Sequence, residues 1–194
     1  MSKKGKIIII SGPSGVGKKT IIDQVINDKN LNLSYSVSMT TRLPRENEKD
    51  GIDYFFVSEE EFNNAINNNE LLEWAVFANN KYGTPIKNLY KMIEQKKNVI
   101  LEIEVEGATK VKEILNREDY ISIFIVPPSI RELKRRLKKR DTETKQKIKQ
   151  RIKRAKVEIK LVDEYDHKIL NDDAILAADR LRQILNEEVN KNGK

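Results

Sequence analysis

Gly12, Gly17 and Lys18 stand in "IIIISGPSGVGKKT", residues 7–20, at the spacing G-x-x-x-x-G-K. That pattern suits a phosphate. Glycines let the backbone curl around an anion, the amides of a helix N-terminus point at it, and a lysine adds a point charge. A buried-strand pattern precedes the match and a helical pattern follows it, which is the context that such a loop requires. The competing reading is an ordinary glycine turn. Lys19 stands where the common pattern has a Ser or Thr hydroxyl to meet Mg2+, and Thr20 comes one place late. The metal must then be held through water or by other acids. Glu102 and Glu104, at the end of "ILEIE", are the candidates. Mg2+ tolerates this because it keeps much of its water shell.

The elements around the loop alternate in a strand–helix rhythm. "KIIIIS" has no polar face, as expected of a strand covered on both sides. With 98–103, 121–126 and 167–170 it makes four core strands joined by helices, which predicts a parallel sheet with right-handed crossovers. The first helix is expected over about 17–27 and the last over about 172–190. Ser58 with Glu61 reads as a capping box, and Ser129 with Glu132 as the cap of another helix. A basic helical stretch runs to about Leu161, broken near Asp141-Thr142. Residues 35–96 interrupt the rhythm with shorter, more aromatic strands and read as an inserted lobe. "SYSVSM" (34–39) and "DYFFV" (53–57) are strands there, "LLEWAVFANNKYG" is a hairpin turning near Asn79-Asn80, and Thr84-Pro85 is an N-cap followed by proline at the first helical position.

Composition narrows the class. The chain has 194 residues and no cysteine, so disulfides, thiol nucleophiles and cysteine-bound metals are excluded. No apolar run approaches the ~20 residues of a membrane span, and a cytoplasmic protein is the expectation. The net charge of +7 is local: residues 131–160 hold fifteen Lys/Arg against four Asp/Glu, which leaves the remainder acidic. That segment carries no Phe, Tyr or Trp, so it lacks the stacking groups of a specific nucleic-acid site.

"SGPSGVGKKT", "SVSMTTRLPR", "GIDYFF", "LLEWAVFANNKYGTP", "LEIEVEGA", "IFIVPPS" and "RDTET" occur in this order from about Lys6 to Asn186. Together they resemble the guanylate kinase family. The resemblance implies an α/β fold: a P-loop NTPase-type parallel sheet core covered by helices, an inserted α+β GMP-binding lobe at 35–96 and a helical lid at 137–155. The core is then 1–34, 97–136 and 156–194. It implies the reaction ATP + GMP ⇌ ADP + GDP, with dGMP a second acceptor and Mg2+ accompanying ATP. No specific nucleic acid and no membrane are implied, and the chain is expected to be a monomer or homodimer. "GKKT" resembles the G-K-x-T loop of nucleoside-monophosphate kinases, with lysine in the variable place.

Residue roles follow from the same likeness. Gly12, Pro13, Ser14, Gly15, Val16, Gly17, Lys18, Lys19 and Thr20 would wrap the ATP phosphates, and Asn171 and Asp172 would meet the adenine or its ribose. Ser38 and Glu73 would contact guanine, with Thr84 and Glu102 close by. A carboxylate can accept the N1–H and 2-amino donors that adenine does not present together. Arg42, Arg45, Tyr54 and Tyr82 would grip the GMP phosphate. Lys18, Arg42, Arg136, Arg140 and Arg151 would neutralise the charge spread over a transferring phosphoryl group. Trp74 reads as packing, and His167 as a strand residue near the surface. A catalytically inactive phosphopeptide-binding module of the same kind is the alternative; such modules usually lose the nucleotide loop.

Overall fold

The computed structural model describes residues 4–77, 79–139 and 144–190. Its centre is a sheet of five parallel strands. β1 (Ile7–Ser11) lies in the middle, between β7 (Asn98–Glu102) and β8 (Tyr120–Val126). β2 (Leu33–Tyr35) pairs with β7, and β9 (His167–Leu170) pairs with β8. The order is β2-β7-β1-β8-β9.

The isoleucine run explains the middle position. Side chains alternate across a strand, so Ile8 and Ile10 face one way and Ile7 and Ile9 the other. Ile8 and Ile10 pack with Ile21 and Ile22 of α1 (Lys18–Asp23), Leu133 of α5 (Ile130–Lys139), Ile148 of α6 (Lys145–Glu158) and Leu181 of α7 (Ala174–Asn190). Ile7 and Ile9 pack with Leu89 of α3 (Ile86–Glu94) and Val111 of α4 (Val105–Ile114). Each such burial is worth about 1.5–3 kcal/mol.

A second sheet of four strands is built from β3 (Met39–Thr40), β4 (Phe55–Phe56), β5 (Leu71–Phe77) and β6 (Asn80–Pro85), in the order β4-β3-β6-β5. α2 (Glu59–Asn67) begins at the Ser58–Glu61 capping box, with both reciprocal hydrogen bonds made. Asn79 has φ 66° in the β5–β6 turn, a left-handed conformation that asparagine tolerates.

Several expectations need correction. The central sheet has a fifth strand, because "SYSVSM" is not one strand. Tyr35 still pairs with Ile100, whereas Met39 pairs with Gly83 of the second sheet. Residues 36–38 carry the chain across, and periodicity is blind to a change of partner. "DYFFV" shrinks to Phe55–Phe56, since its partner β3 is two residues long. The first helix is regular only to Asp23 and continues as turns, with Val25 still buried. Thr84 does not cap α3. It belongs to β6, the cap position is Pro85, and no side chain caps the helix. At α5, the Glu132 N–H donates to Ser129 Oγ at 3.0 Å, but the Glu132 carboxylate turns to Arg135 and Arg136. The expected break at Asp141-Thr142 lies outside the described residues.

Candidate active site

The parallel strands end at one edge, and a doubly covered sheet binds ligands beyond its strand C-termini. Ser11 leads there into the glycine loop, Glu102 closes β7, and Asn171 follows β9. Gly12, Gly15 and Gly17 have φ of 143°, 85° and 100°. At Gly12 a side chain is doubly excluded, since a Cβ would stand 2.4 Å from the Ile125 carbonyl oxygen. The loop then enters α1, whose first-turn amides have no helical acceptor.

Cationic and amide groups converge on this loop from distant parts of the chain. Lys18 is buried, and its Nζ donates to the Gly12 carbonyl at 2.8 Å. Asn171 Nδ2 donates to the Val16 carbonyl at 2.7 Å, and Arg136 Nη1 donates to the same oxygen at 3.2 Å. Arg136 Nη2 reaches the Asn171 carbonyl at 3.0 Å, while its Nε is held by Glu132 at 2.9 Å. Arg151 Nη1 donates to Ser14 Oγ at 2.8 Å. Pro13 is buried and accepts from the Val16 N–H at 3.1 Å. Both Arg136 and Arg151 are thus brought to the loop by helices that follow it by more than a hundred residues. Thr20 is exposed one step along α1. Asp172 stands apart, beside Arg180 at 3.8 Å. Arg140 lies outside the described residues.

Lys19 does not enter the loop with its side chain. It is exposed, with Nζ 3.7 Å from Asp23 and 3.8 Å from Asp53, and 5.7 Å from the centre of the Tyr35 ring.

In the second sheet, Met39 and Trp74 both pair with Gly83. Ser38 immediately precedes Met39, Thr84 follows Gly83, and Glu73 precedes Trp74 where the β5–β6 register shifts. Glu73 is 7% exposed, and its Oε1 accepts from the Thr84 hydroxyl at 2.8 Å. A Cβ on Gly107, in the first turn of α4, would stand 2.6 Å from Glu73 Oε2, so the glycine makes room for the carboxylate. Burial pushes the Glu73 carboxyl up in pKa, with the Thr84 hydrogen bond and Lys110 opposing. Trp74, next along, is exposed rather than packed, and Lys110 lies over its ring.

Arg42, Tyr54 and Tyr82 are contiguous. The Arg42 guanidinium lies over the Tyr54 ring at 5.3 Å, and the Tyr54 and Tyr82 rings meet edge to face at 6.0 Å. Arg45 is mostly exposed nearby. Burial, then the charge of Glu102, pushes the Tyr54 phenol up to about 12, so it stays a hydroxyl donor at any physiological pH.

The acids proposed for the metal behave differently. Glu102 Oε2 accepts a hydrogen bond from the Tyr35 hydroxyl. Glu104 Oε2 is buried without a hydrogen-bond partner. Among the described residues no three acids or histidines cluster tightly enough to hold a metal by themselves. An orphaned acceptor without a full protein cage suits an ion bound through water and phosphate oxygens. Three residues escaped the sequence reading: Glu48, Asp53 and Tyr35. Only the mixture of acids with the basic residues of "TTRLPRENEKDG" hinted at Glu48, and no pattern pointed to Asp53 or Tyr35.

The family model described as guanylate kinase matches residues 4–188. The chain belongs to the guanylate kinase family. A guanylate kinase of Malacoplasma penetrans is 81% identical over 97% of this chain and 96% of its own length. One from Mesoplasma florum is 52% identical over 97% of this chain, which spans 63% of that longer relative. The crystal structure of guanylate kinase from Anaplasma phagocytophilum superposes with a TM-score of 0.77 at 38% identity, covering 96% of this chain and 87% of that one. This guanylate kinase family member thus has the P-loop NTPase fold. Among the described residues no helix is long and apolar enough to cross a membrane.

Proposed function

We propose that the cleft transfers the terminal phosphate of ATP to GMP, and to dGMP, giving ADP and the nucleoside diphosphate. One observation carries the reading: a glycine loop with two arginines on it leaves the sheet edge where β7 also ends, and α4, which follows β7, packs its Gly107 against a buried carboxylate–hydroxyl pair suited to guanine. The ATP phosphates lie against the amides of residues 12–20. Lys18 exchanges the Gly12 carbonyl for a phosphate oxygen, and Arg136, Arg140 and Arg151 surround the group in transit. Asn171 and Asp172 lie toward the nucleoside end of ATP.

On the acceptor side Glu73 takes guanine N1–H and the 2-amino group, with Ser38, Thr84 and Glu102 beside it. Arg42, Arg45, Tyr54 and Tyr82 hold the GMP phosphate in line with the donor. Residues 35–96 act as the acceptor lobe and 137–155 as the lid, whose closure excludes water from competing as acceptor. Glu102 and Glu104 would hold Mg2+ through water. The ion, bound with ATP, supplies charge neutralisation on the phosphate oxygens. The protein works in the cytoplasm, as a monomer or homodimer, on these small molecules without nucleic acid or membrane. The intact loop lysine argues against a purely peptide-binding module.

The test is ADP release from Mg·ATP with GMP, dGMP, AMP, UMP and CMP as acceptors. GMP and dGMP turn over, and AMP is rejected because Glu73 and Thr84 are left unpaired against it. Equal use of AMP, or no turnover with any acceptor, overturns the reading.

A further inference from the structure

Glu48 lies in the loop between β3 and β4, among the groups assigned to the acceptor phosphate. Both its carboxylate oxygens stand 2.9 Å from Arg42 Nη2. Oε2 also accepts from the Arg45 backbone N–H at 2.9 Å, and Arg45 Nη1 is 3.8 Å from Oε1. The N–H of Glu48 returns to the Arg45 carbonyl at 3.0 Å, closing the turn. Arg42 Nη1 is tied to the Leu43 carbonyl at 2.7 Å, and the guanidinium covers the Tyr54 and Phe56 rings. The Arg42 and Glu48 side chains are 15% and 16% exposed, unlike the solvent-washed pairs that contribute little.

We propose that Glu48 is a positioning residue of the acceptor-phosphate grip, holding Arg42 and the Arg45 backbone in the geometry that receives the phosphate of GMP. This rests on the reading of the cleft as a GMP site. An arginine free in solution must give up rotamer freedom to clasp a phosphate. Here Glu48, Leu43 and two aromatic faces take up that cost when the chain folds, and binding meets a preorganised guanidinium. Glu48 and Leu43 occupy Nη2 and Nη1, and neither takes Nε. Tyr82, which also acts on the guanidinium, is itself part of the grip. The carboxylate therefore steadies the arginine from one side without covering its whole donor edge.

The opposite role is physically available. A carboxylate on two arginines also competes with an incoming dianion, and the sign of the effect separates the two. Wild type, Glu48→Ala and Glu48→Gln are compared as full chains by steady-state kinetics, with guanosine as a competitor that lacks the phosphate. Glu48→Ala is expected to raise KM for GMP about 10- to 100-fold, the usual cost of a lost charge-assisted contact. It should leave kcat and KM for ATP nearly unchanged and guanosine inhibition intact. Glu48→Gln, which keeps one acceptor oxygen, should fall between, and it carries the test if the alanine variant does not fold. An unchanged KM for GMP overturns the proposal, and a lowered one makes Glu48 a competitor instead. Parallel weakening of guanosine also overturns it, by showing general damage to the lobe. These failures leave the wild-type GMP reaction standing, whereas a wild type that does not use GMP sinks both readings.

Discussion

Burial raises the proton affinity of the Glu73 carboxyl, and only its ionised form offers two acceptor oxygens to a guanine edge. Three outcomes follow at the residue scale. As pH falls, KM for GMP should begin to rise at a higher pH than an ordinary glutamate would dictate, while KM for ATP does not follow that titration. Glu73→Gln should narrow the preference for GMP over AMP by at least about 10²-fold, since sites built on such hydrogen bonds discriminate by 10⁴ or more. The same variant should melt higher than wild type near neutral pH. A carboxyl with a raised folded pKa favours the fold fully only below its unfolded value, and that contribution is lost as pH rises through the folded value. The gap in melting temperature should therefore close on acidification. A lower-melting Glu73→Gln at neutral pH would contradict this account.

Gly107 shows what an element contributes. Alanine is the better helix former by roughly 1 kcal/mol, so an exposed Gly→Ala change inside α4 would stabilise. At this position the added Cβ meets Glu73 Oε2 at 2.6 Å. Gly107→Ala should raise KM for GMP and leave KM for ATP alone, and a variant with wild-type GMP kinetics would show that the carboxylate can move aside. The β9–α7 junction holds the glycine loop through Asn171. Asn171→Ala strips one of two donors from the Val16 carbonyl and should cost on the order of 1–3 kcal/mol in stability, read by denaturant unfolding. Its kinetic signature is the reverse of Gly107→Ala: KM for ATP rises and KM for GMP holds.

Across the whole molecule, Lys19 joins α1 to Asp53, which lies between β3 and β4. The contact is exposed and long, so it contributes at most about 1 kcal/mol and weakens in salt. Lys19→Ser, which restores the common loop pattern, should change kcat/KM by less than about tenfold, a bound set by that energy. A larger loss would give the extra cation a part in catalysis. The loop, the parallel core and the guanylate kinase likeness were all legible in the sequence, because local pattern carries them. An isoleucine run needs two covered faces, and three glycines next to a lysine need a curled backbone. Hidden were the crossing of residues 36–38 between sheets, the turning of Thr84 from a helix cap to a partner of Glu73, and the clasp of Glu48 on Arg42. Hydrogen-bond partners across strands and loops are chosen by three-dimensional proximity, which spacing along the chain does not encode. The chain by itself determined which chemical groups are present and which backbone can curl as a phosphate would require; only the folded packing decided which carboxylate is buried, which lysine faces solvent, and which arginine is already held in place.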